Sequence, residues 1–471
     1  MRKTKIICTI GPASESEDIF RQMCLAGLNV ARLNFSHGDH QEPLKRIEMI
    51  RRVRDELHLP IAIMLDTKGP EYRIGTFANH RVTLADGQDF TFTVDKVEGD
   101  ETRVSVSYEG FARDLKPGDR ILVNNGLVVC RVQEVKGNDV LTRVEIGGEL
   151  SDRKSMNFPG KLLSNAFLSE QDKKDLLFGI EQDVDYVAAS FVSTKADAQE
   201  MRDFLDANGG QEIDIIAKIE NQSGVDHIDE ICEVADGVMV ARGDLGVEVP
   251  FVELPAIQKM LIHKCRLLGK RVVTATEMLE SMINNPRPTR AEISDVANAV
   301  YDGTSAVMLS GESAAGKFPV EAVKSMAEIC EYTEGSIDYV KRFHSTEYTI
   351  KDKSDAISHA SCAMAIDVRA KCIVINSLSG KTARLVSRFR CPVDIVGITT
   401  REKVWRKLNL CWGVTPVMTE EYSNTEVLFY HAVRIAKRTL DLAPGDNIVL
   451  TAGQITGKSG NSNTIRVEIV P

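Results

Sequence analysis

Three charged residues follow two apolar runs of the sequence, and their types suit chemistry on a phosphorylated, carboxylated small molecule. Lys218 and Glu220 end one run, which starts at residue 215, and Asp244 follows a second run at residues 239–241. Apolar runs of this length predict strands that are buried on both faces. If the strands are parallel neighbours, the charges meet at one rim, where two carboxylates can hold a divalent cation beside a fixed ammonium.

A second group of polar residues follows two earlier apolar runs. Asn34, Ser36 and His37 come after one run, and Asp66 and Thr67 come after the next. Their carboxylate, amide and hydroxyl oxygens are hard donors that suit a monovalent or divalent cation, with no soft ligand to favour zinc. Each residue taken alone is also typical of a helix cap or a turn, so the prediction depends on several polar groups falling at strand ends.

The same strand ends offer groups for binding and catalysis. Glu220 and Asp244 are candidate ligands of a magnesium-type ion, which usually takes one or two carboxylates. Lys218 can neutralise charge on a transferring phosphoryl group or on a developing enolate. Gly243 leaves a backbone N–H open to a carboxylate, and Thr276 can donate a hydrogen bond or relay a proton through water.

Alternating strand-like and helix-like segments predict the scaffold for these residues. Residues 1–69 and 168–342 alternate apolar runs with amphipathic stretches, with three strands in the first block and five in the second. Eight parallel strands favour a closed (β/α)8 barrel with its active site at the carboxyl ends of the strands, and an open doubly wound sheet is the alternative. The predicted strands are residues 3–9, 28–33, 61–65, 186–189, 213–218, 237–241, 271–275 and 306–309.

Two further units complete the predicted architecture. Residues 70–167, called the inserted domain below, have short Thr- and Val-rich runs between Gly-, Asn- and Asp-containing turns, which predicts a small β-barrel or sandwich. Residues 343–471 alternate helix and strand again and end in two strand-like runs, which predicts an open α/β sheet. The predicted fold class is α/β: a (β/α)8 barrel with an inserted small β-barrel domain and a C-terminal open α/β domain.

Composition is that of an ordinary globular protein. The 471 residues carry a formal net charge of -10, which argues against nucleic acid as the main partner because phosphate backbones require clustered Lys and Arg. Ten cysteines are scattered with no Cys-x-x-Cys pair, a pattern that fits neither a zinc site nor a disulfide framework. With no signal peptide and no membrane-length apolar run, the sequence predicts a cytoplasmic protein without a membrane partner.

Five motifs spread along the chain resemble those of the pyruvate kinase family. They are RLNFSHG (32–38), LDTKGPE (65–71), MVARGDLGVE (239–248), NPRPTRAE (285–292) and DGTSAVMLSGESAAGKFPVEAV (302–323). The resemblance covers the whole chain and implies a barrel with a mobile inserted β-domain, a C-terminal α/β domain and a homotetramer. It also implies transfer of the phosphoryl group of phosphoenolpyruvate to ADP, giving pyruvate and ATP as the final step of glycolysis, with Mg2+ (or Mn2+) and K+ as cofactors.

The resemblance assigns catalytic roles to residues at the predicted rim. Arg32 is implied to contact the phosphoryl group that is moved, and Lys218 to stabilise the transition state. Thr276 is implied to lie near the proton that is delivered to the enolate. Gly243, Asp244 and Thr276 are implied to contact the substrate carboxylate.

The resemblance also assigns the ion and nucleotide contacts. The implied magnesium ligands are Glu220 and Asp244. The implied potassium ligands are Asn34, Ser36, Asp66 and Thr67, and Glu71 matches the motif of potassium-dependent members. The implied contacts to the nucleotide phosphates are Asn34, Phe35, Ser36, His37, Arg73 and Lys154.

A Ser- and Gly-rich turn in the C-terminal unit leads into a predicted helix that begins near residue 381. Backbone N–H groups and hydroxyls at a helix N-terminus form an anion site, and an ordinary helix cap is the alternative. In the family this loop binds a phosphate of a sugar-phosphate activator, often fructose 1,6-bisphosphate, and the loop 453–462 could close over it. The residues concerned are Ser377, Ser379, Gly380, Lys381 and Thr382.

The sequence departs from the family pattern at two places. Asn124-Asn125-Gly126 stands where Asp-Asp-Gly is common, and Glu277 follows Thr276 where Gln is usual. The first departure removes charge from the inserted domain, and the second adds a negative charge beside the predicted site.

Two other functions use similar equipment. A metal-dependent aldolase-type barrel enzyme acting on phosphoenolpyruvate or pyruvate shares the carboxylate rim, but it needs neither the inserted domain nor the cluster around Asp66. The second alternative is a catalytically silent metabolite sensor, and loss of the catalytic residues would support it. Arg32, Lys218, Glu220 and Asp244 are all present.

Overall fold

The structure, a computed structural model, describes residues 1–35, 40–161, 163–164, 166–422, 424–453 and 462–471. Strand and helix alternate from the N-terminus: β1 Lys5–Thr9, α1 Glu17–Ala26, β2 Val30–Asn34, α2 Gln41–Leu57 and β3 Ala62–Asp66. Helix α1 ends at Gly27, whose φ of 119° is left-handed. This conformation favours glycine, because a residue with a Cβ is strained at such an angle.

The inserted domain is a strongly curved sheet. Seven of its strands form one sheet in the order β4-β12-β8-β9-β10-β6-β7. Its two edges meet through hydrogen bonds from the N–H of Gly75 to the carbonyl of Ser105 (2.8 Å) and from the N–H of Ser107 to the carbonyl of Arg73 (2.9 Å). The sheet therefore closes on itself, as the small β-barrel prediction requires. The elements are β4 Tyr72–Arg73, β5 Arg81–Leu84, β6 Asp89–Thr93, β7 Arg103–Ser105, α3 Phe111–Asp114, β8 Arg120–Val123, β9 Val128–Lys136, β10 Asp139–Ile146, β11 Gly148–Ser151 and β12 Ser155–Asn157.

Five more parallel strands and their helices complete the barrel. The strands are β13 Tyr186–Ala189, β14 Asp214–Ile219, β15 Gly237–Ala241, β16 Arg271–Ala275 and β17 Ala306–Leu309. The helices are α4 Glu170–Glu181, α5 Lys195–Ala207, α6 Gln222–Asp226, α7 Ile228–Val234, α8 Arg242–Glu248, α9 Leu254–Leu268, α10 Arg290–Asp302, α11 Gly311–Ala314, α12 Pro319–Gly335 and α13 Tyr339–Ser345, with a 3-10 helix at Glu280–Ile283. Capping boxes begin α4, α5 and α10, where a Ser or Thr side chain and the carboxylate three residues on bond each other's backbone.

The eight strands form a closed barrel in the order β1-β17-β16-β15-β14-β13-β3-β2. Closure is visible in the parallel pairing of β17 with β1, where Ala306 lies opposite Lys5. The open doubly wound alternative is therefore wrong. Four of the eight predicted strands have the observed bounds, and the ends of the other four shift by one or two residues.

Apolar side chains fill the interior of the barrel, so only its rim is available for chemistry. One interior residue, Leu410, comes from the C-terminal unit, which thereby helps to fill the barrel. The interior residues are Ile7, Val30, Ala62, Met64, Tyr186, Ala188, Ile216, Met239, Val273, Ala275, Ala306, Met308 and Leu410.

The C-terminal unit is an open five-stranded sheet in the order β20-β19-β18-β21-β22, in which only β22 runs antiparallel to its neighbour. This confirms the predicted open α/β sheet, whereas the domain boundaries at 69/70, 167/168 and 342/343 stay predictions. The elements are α14 Lys353–Asp367, β18 Cys372–Asn376, α15 Lys381–Arg388, β19 Asp394–Thr399, α16 Glu402–Leu408, β20 Val414–Met418, α17 Thr425–Leu440, β21 Asn447–Gly453 and β22 Ser462–Ile469.

Two observations bear on the composition of the chain. All ten cysteines are buried thiols. Across the ranges that the structure describes, no helix combines the length and the hydrophobicity that crossing a bilayer requires.

Buried charges join the C-terminal unit to the end of the barrel opposite the rim. The carboxylate of Asp214, at the start of β14, lies 2.7 Å from Nη1 of Arg271 and 2.7 Å from Nζ of Lys407. Arg384, on α15, approaches the same carboxylate at 3.6 Å. Burial alone would raise the pKa of Asp214, but these three cations outweigh it and hold the pKa well below its ordinary value.

We expect the ion pairs of Asp214 to stabilise the folded chain at neutral pH and to lose that effect in acid. An unfolded Asp titrates near about pH 4, and the folded pKa of Asp214 is lower. The stabilisation is therefore complete above the unfolded pKa and is lost as pH falls toward the folded one.

Thermal unfolding between about pH 7 and about pH 3 tests this. The advantage of the wild type over Asp214→Asn should stay constant down to about pH 5 and then shrink as pH falls further. Asp203→Asn, on the exposed face of α5, should show little change. A difference in Tm between wild type and Asp214→Asn that stays constant over this range would contradict the prediction.

Candidate active site

A cleft of about 800 Å³ lies between the rim of the barrel and the inserted domain. Most of the residues that the sequence predicted for the site line it. The rim contributes Arg32, Asn34, Asp66, Thr67, Ser190, Lys218, Glu220, Asn221 and Asp244. The inserted domain contributes Tyr72, Arg73, Asn124, Asn125, Lys154, Ser155 and Asn157. Residues far apart in the sequence therefore converge because every barrel strand ends at the same rim.

Lys218 is the buried cation at the centre of the rim. Its Nζ lies 2.9 Å from Oε1 of Glu220 and 3.2 Å from Oδ1 of Asp66. It also donates to the hydroxyl of Ser190 at 2.7 Å. Burial alone would lower the pKa of Lys218, but Asp66 and Glu220 outweigh burial and raise it, so the side chain stays charged.

Asp66 also pairs with a second cation, the guanidinium of Arg32. Nε of Arg32 lies 2.6 Å from Oδ2 of Asp66, and Nη1 of Arg32 donates to the hydroxyl of Thr9 at 2.7 Å. Burial would raise the pKa of Asp66, but Arg32 and Lys218 lower it below its ordinary value. One ionised carboxylate therefore holds two cations side by side, where they can face an anionic substrate.

Glu220 and Asp244 line the same cleft and influence each other electrostatically. The N–H of Phe191 donates to Oε2 of Glu220 at 2.6 Å. Burial raises the pKa of Glu220 to about 7; Lys218 opposes this effect, and the charge of Asp244 adds to it. A divalent cation would stabilise the ionised form of Glu220 beside Asp244.

The oxygen donors in the cleft fit hard cations. No group of three or more His, Cys, Asp or Glu side chains among the described residues is arranged to bind a metal ion. Magnesium-type ions need only one or two carboxylates, because water and substrate oxygens complete their coordination. Glu220 and Asp244 supply that number.

The predicted potassium ligands are partly brought together. Asn34 on β2 lies directly opposite Asp66 on β3 in the strand register. The hydroxyl of Thr67 accepts a hydrogen bond from the N–H of Ser190 at 3.1 Å. Ser36, the fourth predicted ligand, lies outside the described residues, as does His37.

The predicted nucleotide contacts lie on both sides of the cleft. Arg73 and Lys154 line it from the inserted domain. Nη1 of Arg73 donates to the carbonyl of Arg153 at 2.8 Å, and Nη2 lies 2.5 Å from the carboxylate of Glu71. Phe35 is buried in the hydrophobic core, with its ring 5.8 Å from that of Phe178.

Left-handed backbone occurs at two strand ends of the rim. Phe191 after β13 has φ 59°, and Thr276 and Glu277 after β16 have φ 68° and 52°. Such angles are strained for branched or bulky side chains and are characteristic of functional sites. In this left-handed conformation, the N–H of Phe191 donates its hydrogen bond to Glu220.

Arg242 holds the strained turn at Thr276. Its guanidinium pairs with both carboxylate oxygens of Asp295, at 2.8 and 2.7 Å, and donates to the carbonyls of Thr276 and Glu277. The N–H of Gly243 then donates to the hydroxyl of Thr276 at 2.9 Å. The two predicted substrate contacts, Gly243 and Thr276, are therefore neighbours, although neither is among the residues that line the cleft.

Family comparisons agree with this site. The description "Pyruvate kinase, barrel domain" matches residues 1–323, and "Pyruvate kinase, alpha/beta domain" matches residues 355–468. The chain belongs to the pyruvate kinase family. The family assignment confirms the predicted phosphotransferase class and the fold, and it excludes the aldolase-type alternative.

Individual members of the family match along the full length of the chain. A pyruvate kinase of Clostridium acetobutylicum is 45% identical over 472 residues and covers 100% of both chains. A pyruvate kinase of Bacillus licheniformis is 46% identical over 473 residues, covering 100% of this chain and 81% of that protein. The crystal structure of a pyruvate kinase from Cryptosporidium parvum superposes with a TM-score of 0.94 at 37% identity, covering 100% of this chain and 96% of the other.

The two departures from the family pattern have different surroundings. Asn124 and Asn125 both have φ 56°, and Gly126 follows at 79°, so three successive residues are left-handed. Asn adopts this conformation more readily than most residues, which gives a backbone reason for the pair. The side chain of Glu277 is exposed and is not among those that line the cleft.

The predicted anion loop in the C-terminal unit lies at the start of α15, and its role stays a prediction. Gly380, with φ 75°, precedes α15, and its N–H donates to the hydroxyl of Ser377 at 3.0 Å. The hydroxyls of Thr382 and Ser462 lie 2.6 Å apart, which ties the loop to the start of β22. Most of the predicted closing loop, residues 454–461, lies outside the described residues.

Sequence reasoning missed Ser190 and Arg242. Ser190 directly follows the apolar strand β13, the same signal that singled out Asp66 and Thr67. Arg242 lies in the same motif as Asp244, but its contact with the turn at Thr276 depends on the neighbouring strand end. A search for every polar residue that follows a barrel strand would have found both.

We expect Ser190→Ala to lower kcat about tenfold. A hydrogen bond to a charged group contributes ~1.5–3 kcal/mol, and Lys218 keeps its two carboxylate partners. Steady-state kinetics of Ser190→Ala, Lys218→Met and the double variant test this. The Ser190 change should cost nothing further when Lys218 is absent; an equal loss in both backgrounds would show that Ser190 acts independently of Lys218.

Proposed function

We propose that the cleft transfers the phosphoryl group of phosphoenolpyruvate to ADP, giving pyruvate and ATP in glycolysis. The observation that carries the proposal is the buried ammonium of Lys218 between Asp66 and Glu220, with Arg32 on the other oxygen of Asp66. Two fixed cations at an otherwise acidic rim suit a trianionic substrate. Phosphoryl transfer needs positioning and charge stabilisation more than covalent help from the protein.

Arg32 and Lys218 have different roles at the phosphoryl group that is transferred. Arg32, held through Nε and Nη1, directs its remaining N–H groups toward the equatorial oxygens of the phosphoryl group. Lys218 stabilises the charge that develops between the phosphoryl group and the enolate oxygen. Because Asp66 and Ser190 hold Lys218 in place, little reorganisation is needed as that charge develops.

The residues for the metal cofactors are proposed as follows. Glu220 and Asp244 hold Mg2+ (or Mn2+), and Asn34, Ser36, Asp66 and Thr67 hold K+. When bound, these cations spread the negative charge of the phosphoryl oxygens and orient substrate and nucleotide.

Thr276 and Gly243 serve the other end of the substrate. We propose that the N–H of Gly243 and the hydroxyl of Thr276, which are hydrogen-bonded to each other, turn to the carboxylate of phosphoenolpyruvate when it binds. The Thr276 hydroxyl is also proposed to relay a proton through water to the enolate carbon, which makes the product a stable ketone. Arg73 and Lys154 contact the phosphates of ADP, and the inserted domain acts as a lid that excludes water.

We expect Lys218→Ala and Glu220→Ala each to lower kcat by about a thousandfold or more. The first change removes the cation that faces the developing negative charge, and the second removes a ligand of the proposed divalent cation. The measurement is the steady-state rate of ATP formation from phosphoenolpyruvate and ADP, with and without Mg2+ and K+. Lys264→Ala, an exposed lysine paired with Asp229, is the matched control and should keep its activity. Near-full activity in either site variant, with the fold intact by circular dichroism, would refute the roles of Lys218 and Glu220.

We further propose that a sugar phosphate, such as fructose 1,6-bisphosphate, activates the enzyme by binding a phosphate at Ser377, Ser379, Gly380, Lys381 and Thr382. The N–H groups of Gly380 and Lys381 donate to the hydroxyls of Ser377 and Ser379, which gathers hydrogen-bonding groups at the start of α15. We propose that the phosphate replaces these internal hydrogen bonds when it binds.

Ser379→Ala combined with Thr382→Ala should abolish the shift in the phosphoenolpyruvate response that the sugar phosphate causes. Basal activity should remain, because the loop lies outside the active-site cleft. The response is measured at fixed ADP with and without activator, and Ser345→Ala, on the exposed end of α13, is the control. An unchanged shift in the double variant would show that the site is misassigned.

The enzyme is proposed to be a cytoplasmic homotetramer with no nucleic-acid or membrane partner. Buried thiols without a disulfide suit a reducing compartment. Phe251 and Val252, before α9, are 79% and 70% exposed, as expected for residues that a second subunit covers. Light scattering of the purified protein gives the number of subunits directly.

A further inference from the structure

Helix α8 contacts the active site at its start and the inserted domain at its end. Asp244, in its first turn, lines the cleft. Glu248, its last residue, accepts a hydrogen bond from the N–H of Phe158 at 3.3 Å, and the side chain of Asn157 bonds the same carboxylate. A single short helix therefore bridges the cation site and the inserted domain.

Through Phe158, the hydrogen bond of Glu248 connects α8 to the core of the inserted domain. Phe158 is 3% exposed, and its ring packs edge-on against Tyr72 at 5.5 Å and Phe111 at 5.7 Å. The N–H of Phe158 and the side chain of Asn157 both bond Glu248, so two successive residues of the inserted domain are held by one carboxylate.

The first residue of the same helix is anchored to the barrel. Arg242 pairs with Asp295 and donates to the carbonyls of Thr276 and Glu277. The start of the helix is fixed in this way. The contact of Glu248, at its end, therefore links the inserted domain to a fixed part of the barrel.

We propose that Glu248 is a positioning residue that holds the inserted domain against α8, so that the domain's place over the cleft depends on the helix that carries Asp244. The inference rests on the proposed function for its kinetic consequence alone. Arg73 and Lys154 belong to the inserted domain, whereas Arg32 and Thr276 belong to the barrel. Loosening the contact therefore weakens the response to ADP more than the response to phosphoenolpyruvate.

The first experiment measures the contact without catalysis. Amide hydrogen exchange at Phe158 is compared in the wild type, Glu248→Ala, Glu248→Asp and Glu248→Gln. Losing one hydrogen bond of ~1 kcal/mol corresponds to about fivefold faster exchange. Gln keeps the length and an acceptor oxygen, so it should protect Phe158 like the wild type. Asp is one methylene shorter and should behave like Ala.

The second experiment measures the kinetic consequence. Burial raises the pKa of Glu248 to about 6, so assays at about pH 8 keep the wild-type carboxylate ionised. In Glu248→Ala and Glu248→Asp the KM for ADP should rise about fivefold, with the KM for phosphoenolpyruvate unchanged and Glu248→Gln near the wild type. Glu230→Ala, an exposed acid on α7, is the matched control.

The outcomes separate the two proposals. Wild-type exchange at Phe158 in Glu248→Ala and Glu248→Asp would overturn the positioning role, whatever the activity. An equal rise of both KM values would also overturn it, because a general loss of structure has that effect. A wild-type enzyme without phosphoenolpyruvate-dependent ATP formation would refute the proposed function instead, while the exchange result would still report on the contact.

Discussion

The electrostatic balance around Lys218 is the interaction on which the active site depends. An ammonium placed below the rim of a barrel loses most of its hydration, and it stays charged only because Asp66 and Glu220 lie beside it. Asp66 in turn stays ionised because Arg32 and Lys218 surround it. Removing any one member leaves a buried charge without its partner, which is why the site acts as a unit.

Glu220 differs from Asp66 in a way that follows from its surroundings. Asp66 faces two cations, whereas Glu220 faces one cation and the negative charge of Asp244. The first carboxylate is therefore satisfied by the protein, and the second has a raised pKa that an added cation would lower. This asymmetry makes Glu220 the better suited of the two to an added divalent cation.

The closed barrel explains why the chemistry lies where it does. Its interior is packed with apolar side chains, including Leu410 from the C-terminal unit, so polar groups gather at the rim. The inserted domain covers that rim, and the C-terminal unit joins the opposite end through Asp214 and its cations. At the rim, the strand ends at Phe191 and Thr276 have left-handed backbone, which neighbouring elements hold in place.

Local chemistry was readable from the chain itself. Apolar runs predicted all eight barrel strands, because burial on both faces demands them, and the charges after those runs identified Lys218, Glu220, Asp66 and Asp244. The motifs then identified the family, since long matches far apart in the sequence are specific.

The contacts among those residues are visible only in the folded structure. A closed barrel differs from an open sheet in the pairing of β17 with β1. These are the last and the first strands of the barrel in the sequence. The contacts of Ser190 with Lys218 and of Arg242 with the turn at Thr276 cross between strands, and the contact of Glu248 with Phe158 crosses between domains. The residue types along the chain already indicate which side chains carry charge at strand ends. Their partners depend on the fold, because a contact requires closeness in space and not closeness along the chain.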